Sequence, residues 1–305
     1  MAAPAPVSRL ARPREDNPGR GIVLMLTAYA LFSLTDTSVK WLSLAGLPAL
    51  QLAFMRFGVH LALSTGPMLG RDHSGWTAPW PLWAVILGRG GLLMISTIGN
   101  FIALRYLDLT VAAAIMFSSP ILVSALSVPL LGETVGRWRW SAICVGFVGV
   151  LIVVRPWAAE FHWAALCSVA SATALALFSI MTRRLAGVAA PRTMQLYAGF
   201  VGTCALAPLM FWVWEAPATA LDWGLMFAVG FFAWSGHHFF SQAHGYAPAS
   251  VLMPFSYSFL IYMTLTGLVV FGTVPDGQTV LGALVIAIAG LVIWWRERIA
   301  PAARG

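Results

Sequence analysis

The chain has 305 residues, of which 59% are hydrophobic and only 10% charged, and its mean hydropathy is +0.82. Soluble domains carry about 25% charged and about 45–50% apolar residues, so the apolar excess must face lipid and the soluble classes are excluded. The net charge of +7 does not point to nucleic acid, because the arginines are spread thinly between apolar runs instead of forming a basic patch.

A spanning helix needs about 20 mostly apolar residues. Reading for such runs predicts ten. The first five are Gly21–Leu42, Leu50–Met68, Leu82–Leu104, Val111–Leu131 and Trp140–Val154. The second five are Phe161–Met181, Met194–Trp214, Leu221–Phe240, Ser250–Phe271 and Val280–Trp295. The basic residues of the connections orient them: with the N-terminus inside, thirteen fall on the cytoplasmic side and three outside, the asymmetry that the positive-inside rule expects. Both termini are therefore expected in the cytoplasm. Thirteen of the fourteen tryptophans gather at span ends, as an interfacial belt should; Trp234 alone is central.

The two halves share short words in the same order. Ala30-Leu31-Phe32-Ser33 recurs as Ala176-Leu177-Phe178-Ser179, and Gln51-Leu52 recurs as Gln195-Leu196. Ala103, Tyr106 and Val111 line up with Ala243, Tyr246 and Val251, and Leu131-Gly132-Glu133 with Phe271-Gly272-Thr273. Gly146 and Gly149 meet Gly282 and Gly290 only loosely. An odd number of spans per half inverts the second half in the membrane, and inverted repeats are a recurrent transporter architecture with the substrate near mid-membrane. The expected fold is an all-α membrane protein of ten transmembrane helices in two inverted five-helix repeats. Residues 1–20 would be an N-terminal tail, 21–156 and 157–296 the repeats, and 297–305 a second tail.

Over most of its length, about Gly21 to Arg296, the chain resembles the ten-helix EamA branch of the drug/metabolite transporter superfamily. The resemblance rests on Ala103-Leu104-Arg105-Tyr106-Leu107, Val111-Ala112-Ala113-Ala114, Ser119-Pro120, Leu131-Gly132-Glu133 and Val150-Leu151-Ile152-Val153-Val154-Arg155-Pro156. The Lys40 and Arg56 pair across a Pro48 turn is also similar, whereas Thr273 stands where a glutamate is usual. The best understood bacterial proteins of this layout are amino-acid exporters, including YddG-like exporters of aromatic amino acids. The resemblance thus implies export of a small metabolite from the bacterial inner membrane by alternating access, with the lipid bilayer as the other partner. Uptake of a nucleoside-like or sulfonium metabolite is the alternative, with a scaffold or channel behind it. The chain is expected to be a monomer or weak homodimer.

Ionisable groups within spans are expensive and mark functional candidates. Asp36 and Lys40 are four apart on the first span and can pair; Arg56 and His60 are four apart on the second, and Arg89 and Asn100 share a face of the third. Three bases against one acid would suit a substrate bearing a carboxylate or phosphate. The competing reading is that Lys40, Arg56 and Arg89 snorkel to the interface or pair to hold the fold. Trp234, His237, His238 and Ser241 form a helical stripe on the eighth span, suited either to a ring-binding cavity or to a polar helix interface. Phe117-Ser118-Ser119-Pro120 and Pro254-Phe255-Ser256-Tyr257 interrupt the fourth and ninth spans. They make Ser118 and Tyr257 candidate substrate contacts and Pro120 and Pro254 candidate hinges, with packing kinks as the alternative. No catalytic residue, cofactor or metal is expected: Cys144, Cys167 and Cys204 are far apart in apolar runs, His237 and His238 diverge by about 100°, and no enzyme motif is found.

Overall fold

A computed structural model describes residues 17–66, 82–131, 137–159, 161–185, 189, 191–247 and 249–299. Among these every regular element is helical. In chain order they are α1 (Pro18–Leu44), α2 (Ala49–Thr65), α3 (Trp83–Tyr106), α4 (Leu109–Met116), α5 (Ser119–Leu131), α6 (Arg137–Val154) and α7 (Ala164–Leu185). Then follow α8 (Pro191–Leu206), α9 (Met210–Val213), α10 (Ala220–Tyr246), α11 (Ala249–Leu252), α12 (Ser258–Phe271) and α13 (Gly277–Ile299). Short 3-10 turns, Ala207–Leu209 and Met253–Tyr257, join α8 to α9 and α11 to α12. Residues 1–16 and 300–305 of the tails, Arg71 within residues 67–81, and Gly132-Glu133 lie outside the described residues.

Seven segments among the described residues are long and apolar enough to cross a membrane: α1, α3, α4 with α5, α7, α8 with α9, the Pro254 turn with α12, and α13. Three of the ten predicted spans fall short for visible reasons. Helix α2 has 17 residues, the apolar part of α6 is only Trp140–Val154, and α10 carries Asp222, His237, His238, Gln242 and His244 along its length. All three are nonetheless packed among the others.

The helices pack in antiparallel pairs, visible because contacting residue numbers rise on one helix as they fall on the other. Along α1 and α10, Arg20 covers the Tyr246 ring, Phe32 meets His237, and Trp41 Nε1 donates to Asp222 Oδ1. Along α3 and α7, Arg89 donates to Thr182 and Ser96 bonds Ser171. Phe57 of α2 lies against Gly202 of α8, and Leu61 against Gly199. Thr110 of α4 donates to Thr264 of α12, and Phe117, just past α4, stacks on Tyr257, just before α12. The α6–α13 crossing is close: a Cβ at Gly149 would lie 3.1 Å from the Gly282 carbonyl and 2.9 Å from Ile286. Small residues permit that approach where helices have no hydrophobic gain from meeting.

The two candidate hinges lie at real interruptions. Helix α4 stops at Met116, residues 117–118 form a turn, and Pro120 sits in the first turn of α5, where its missing N–H costs nothing. Pro254 is the second residue of the 3-10 turn ahead of α12. The Phe117–Tyr257 stack, 5.1 Å between ring centroids, sets the two breaks side by side.

A polar column between four helices

The helical register carries polar groups into the bundle at intervals of about one turn, 5.4 Å. At the end where α1 finishes, Lys40 Nζ donates to Leu107 O at 2.7 Å and Leu104 O at 3.3 Å, beside the Phe271 ring. One turn inward, Asp36 Oδ2 accepts from Asn100 Nδ2 at 3.2 Å. Next, Arg56 Nη1 donates to Thr97 Oγ1 at 2.8 Å, and its guanidinium is near enough to Asp36 for the charges to interact. A further turn along α2, His60 lies 6.0 Å from the His237 ring of α10, with Gln195 of α8 close by. His237 in turn meets Phe32 at 5.0 Å. Towards the opposite end, Arg89 donates to Thr182 Oγ1 and Met194 O and covers Phe178.

The rungs differ in how far their bonding is satisfied. Lys40 and Arg89 are buried and spent on backbone carbonyls and a hydroxyl. Asp36, Arg56 and His237 lie within their helices with neighbours on every side, yet each keeps part of its surface open. Beside them, Asn100 Oδ1 and His60 Nε2 are buried with no hydrogen-bond partner among the described residues. Such an atom costs about 1–3 kcal/mol until something bonds it.

The column gathers Asp36, Arg56, Asn100 and His237 of the predicted site residues. The expected Asp36–Lys40 pairing is replaced: Asn100 and Arg56 face Asp36, while Lys40 is drawn to the carbonyl end of α3, whose dipole favours a cation. The α10 stripe is divided. His237 turns to Phe32 and His60, whereas Trp234 stacks on an exposed His238 at 5.5 Å, His238 bonds Gln242, and Ser241 is exposed. Ser118 is buried at the α4–α5 break and Tyr257 stacks on Phe117, so these two belong to the helix interruptions. Thr97, Gln195 and Phe32 were not among the predicted site residues: Phe32 and Gln195 entered only as members of the repeat words, and Thr97 was legible as the residue one turn before Asn100.

Polytopic helical bundles with half-open charges at their centre are the architecture of membrane carriers. Residues 19–155 match the EamA-like transporter family. That stretch of the chain therefore carries an EamA-like domain, and relatives matched along nearly the whole chain are named as transporters of small metabolites. It is 29% identical to a riboflavin transporter of Vibrio cholerae over 91% of this chain and 94% of that one. It is 26% identical to the pseudopaline exporter CntI of Pseudomonas aeruginosa (90% and 95%) and 24% identical to an S-adenosylmethionine uptake transporter of Rickettsia prowazekii (91% and 93%). A crystal structure at 19% identity superposes with a TM-score of 0.64, covering 93% of this chain and 99% of that one, a likeness of fold.

Proposed function

We propose that the chain is a secondary carrier, working by alternating access, for a small metabolite that joins a planar ring to a polar or charged part. The observation that carries this is the middle of the column, where Asp36, Asn100 and Arg56 offer opposite charges and amide bonding beside the His237, His60 and Phe32 rings. Riboflavin and S-adenosylmethionine, named for two of the relatives, both join a fused heteroaromatic ring to a polar chain.

The carrier is read as ten helices in two inverted halves, divided near residue 156, with both termini cytoplasmic. The pairing pattern supports this reading. If α1 corresponds to α7 and α3 to α10, the α1–α10 pair becomes the α7–α3 pair under the exchange of halves. The α2–α8, α4–α12 and α6–α13 pairs map onto themselves. The adjoining breaks before α5 and α12 are the hinges at which the halves would rock.

Aromatic amino-acid export is the second reading, favoured by the opposition of Asp36 and Arg56, which matches a zwitterion. Counterflow in proteoliposomes separates the two. Saturable exchange of labelled riboflavin or S-adenosylmethionine, without exchange of phenylalanine or tryptophan, is the expected result. Exchange of amino acids alone would replace the first reading with the second.

A further inference from the structure

Resting on the ring-bearing substrate proposed above, we infer that His60 is a specificity-determining contact that accepts a hydrogen bond from an N–H on the edge of the substrate's ring. His60 is 7% exposed, and its Nε2 has no partner among the described residues. The Gln195 side chain of α8 is near enough to the imidazole to interact with it. In the neutral tautomer with the proton on Nδ1, Nε2 is left as an acceptor. The reading atom is thus supplied from α2.

The surroundings choose the donor. Arg56 is one turn away on the same face and His237 lies 6.0 Å off, so a second cation at this rung is disfavoured and a neutral N–H is suited. His237 and Phe32, 5.0 Å apart, supply flat apolar surface at the same level. The ring therefore belongs at the His60 rung, and its polar chain extends towards the second orphan acceptor, Asn100 Oδ1, beside Asp36 and Arg56. By helical register, the two acceptors are about two turns apart, roughly 10 Å. That spacing fits a heteroaromatic ring of the imide or lactam type carrying a chain, and exceeds what the head group of an amino acid can bridge. Both atoms are closed off in this conformation, so they are reached when the helices part, and the bond is made on closure around the substrate.

A double-mutant cycle tests the contact. Binding of riboflavin, which has such an edge N–H, is compared with binding of N3-methylriboflavin, in which that N–H is replaced, using the purified full chain and its His60→Phe and His60→Gln variants. The wild-type chain should prefer riboflavin by about tenfold, the worth of one buried hydrogen bond whose acceptor would otherwise be unpaired. His60→Phe should bind both ligands with equal affinity, and the retained affinity for the methylated ligand reports an intact fold. His60→Gln keeps an acceptor at similar reach and should retain a preference. A preference that persists undiminished in His60→Phe, or equal loss of both ligands in His60→Gln, overturns the contact while leaving the ring-bearing reading in place. A wild-type chain that binds neither flavin overturns the contact also, and exchange of amino acids alone in the counterflow assay would show that the underlying reading had failed with it.

Discussion

Lys40 and Asp36 stand one turn apart on the same face of α1, and the structure uses them in opposite ways. Lys40 is closed over, its ammonium spent on two carbonyls at the end of α3. Asp36 keeps part of its surface open and meets an amide and a guanidinium that each retain further bonding capacity. Arg89 and Arg56 repeat the contrast, one anchored to Met194 O and Thr182, the other half-open. Charge within a membrane is therefore an insufficient criterion for a site. A cation whose donors are taken up by backbone acts as a clamp between helices, and a group with bonding capacity to spare is the one a substrate can engage.

The largest expected effect tests the open member. Reversing Asp36 to Lys places two cations against each other near mid-membrane, where a misplaced charge costs about 2.5–3.5 kcal/mol. Transport should fall by about a hundredfold or more, since 1.4 kcal/mol is tenfold. Asp36→Asn, which still accepts from Asn100, should purify as a folded protein. Normal flux through Asp36→Lys would remove Asp36 from the translocation site and erase the contrast with Lys40.

The closed member should fail differently. Lys40→Met leaves the Leu104 and Leu107 carbonyls without their ammonium donor, a loss of about 1–3 kcal/mol for buried groups. The melting temperature in detergent should drop, while the substrate affinity of the folded fraction stays as in the unaltered chain. A variant of undiminished stability that binds substrate poorly would reverse the assignment and place Lys40 in the site.

This difference explains how far the sequence could be read. Apolar runs and turn residues carried the helices, because a spanning segment must satisfy its backbone internally and so declares itself by composition. The proline words before α5 and α12 marked both interruptions. Helix α10 was placed although its histidines depress its hydropathy. Within the site, spacing along one helix was legible: Arg56 and His60 at four residues, and Asn100 on the inward face of α3. What lay beyond the sequence was the partner across helices. Asp36 meets Asn100, 64 positions away, and not Lys40 at four; His237 meets Phe32, and its neighbour His238 does not follow it. Side chains one position apart on a helix diverge by about 100°, so the stripe on α10 could be written down from periodicity, but which of its members turned inward depended on the neighbouring helix.

The smallest effect belongs to an ion pair on the rim, and it marks how little a charge contributes once it is in water. Arg155, just past α6, holds a left-handed φ of 47°, a geometry that costs a non-glycine residue about 1–2 kcal/mol. Its guanidinium pairs with Asp276 and reaches Thr279 Oγ1 at 3.4 Å, while Asp276 Oδ1 accepts from the Thr279 N–H at 2.8 Å and caps α13. The Arg155 bond, followed by those from Thr279, brings the Asp276 carboxyl from 3.8 down to about 2. A group whose folded pKa is depressed stabilises above its unfolded pKa and loses that contribution as pH falls through the folded value. The contribution should therefore be complete at neutral pH and disappear between pH of about 4 and about 2. Half of the Asp276 side chain is exposed, so solvent screens the pair and Asp276→Asn should lower stability by less than about 1 kcal/mol. Melting temperatures of the original chain and Asp276→Asn should converge as the solution is acidified, and added salt should narrow their gap at neutral pH. A gap that persisted at acid pH would mean that Asp276 holds α13 by its cap geometry, with the Arg155 charge contributing nothing measurable.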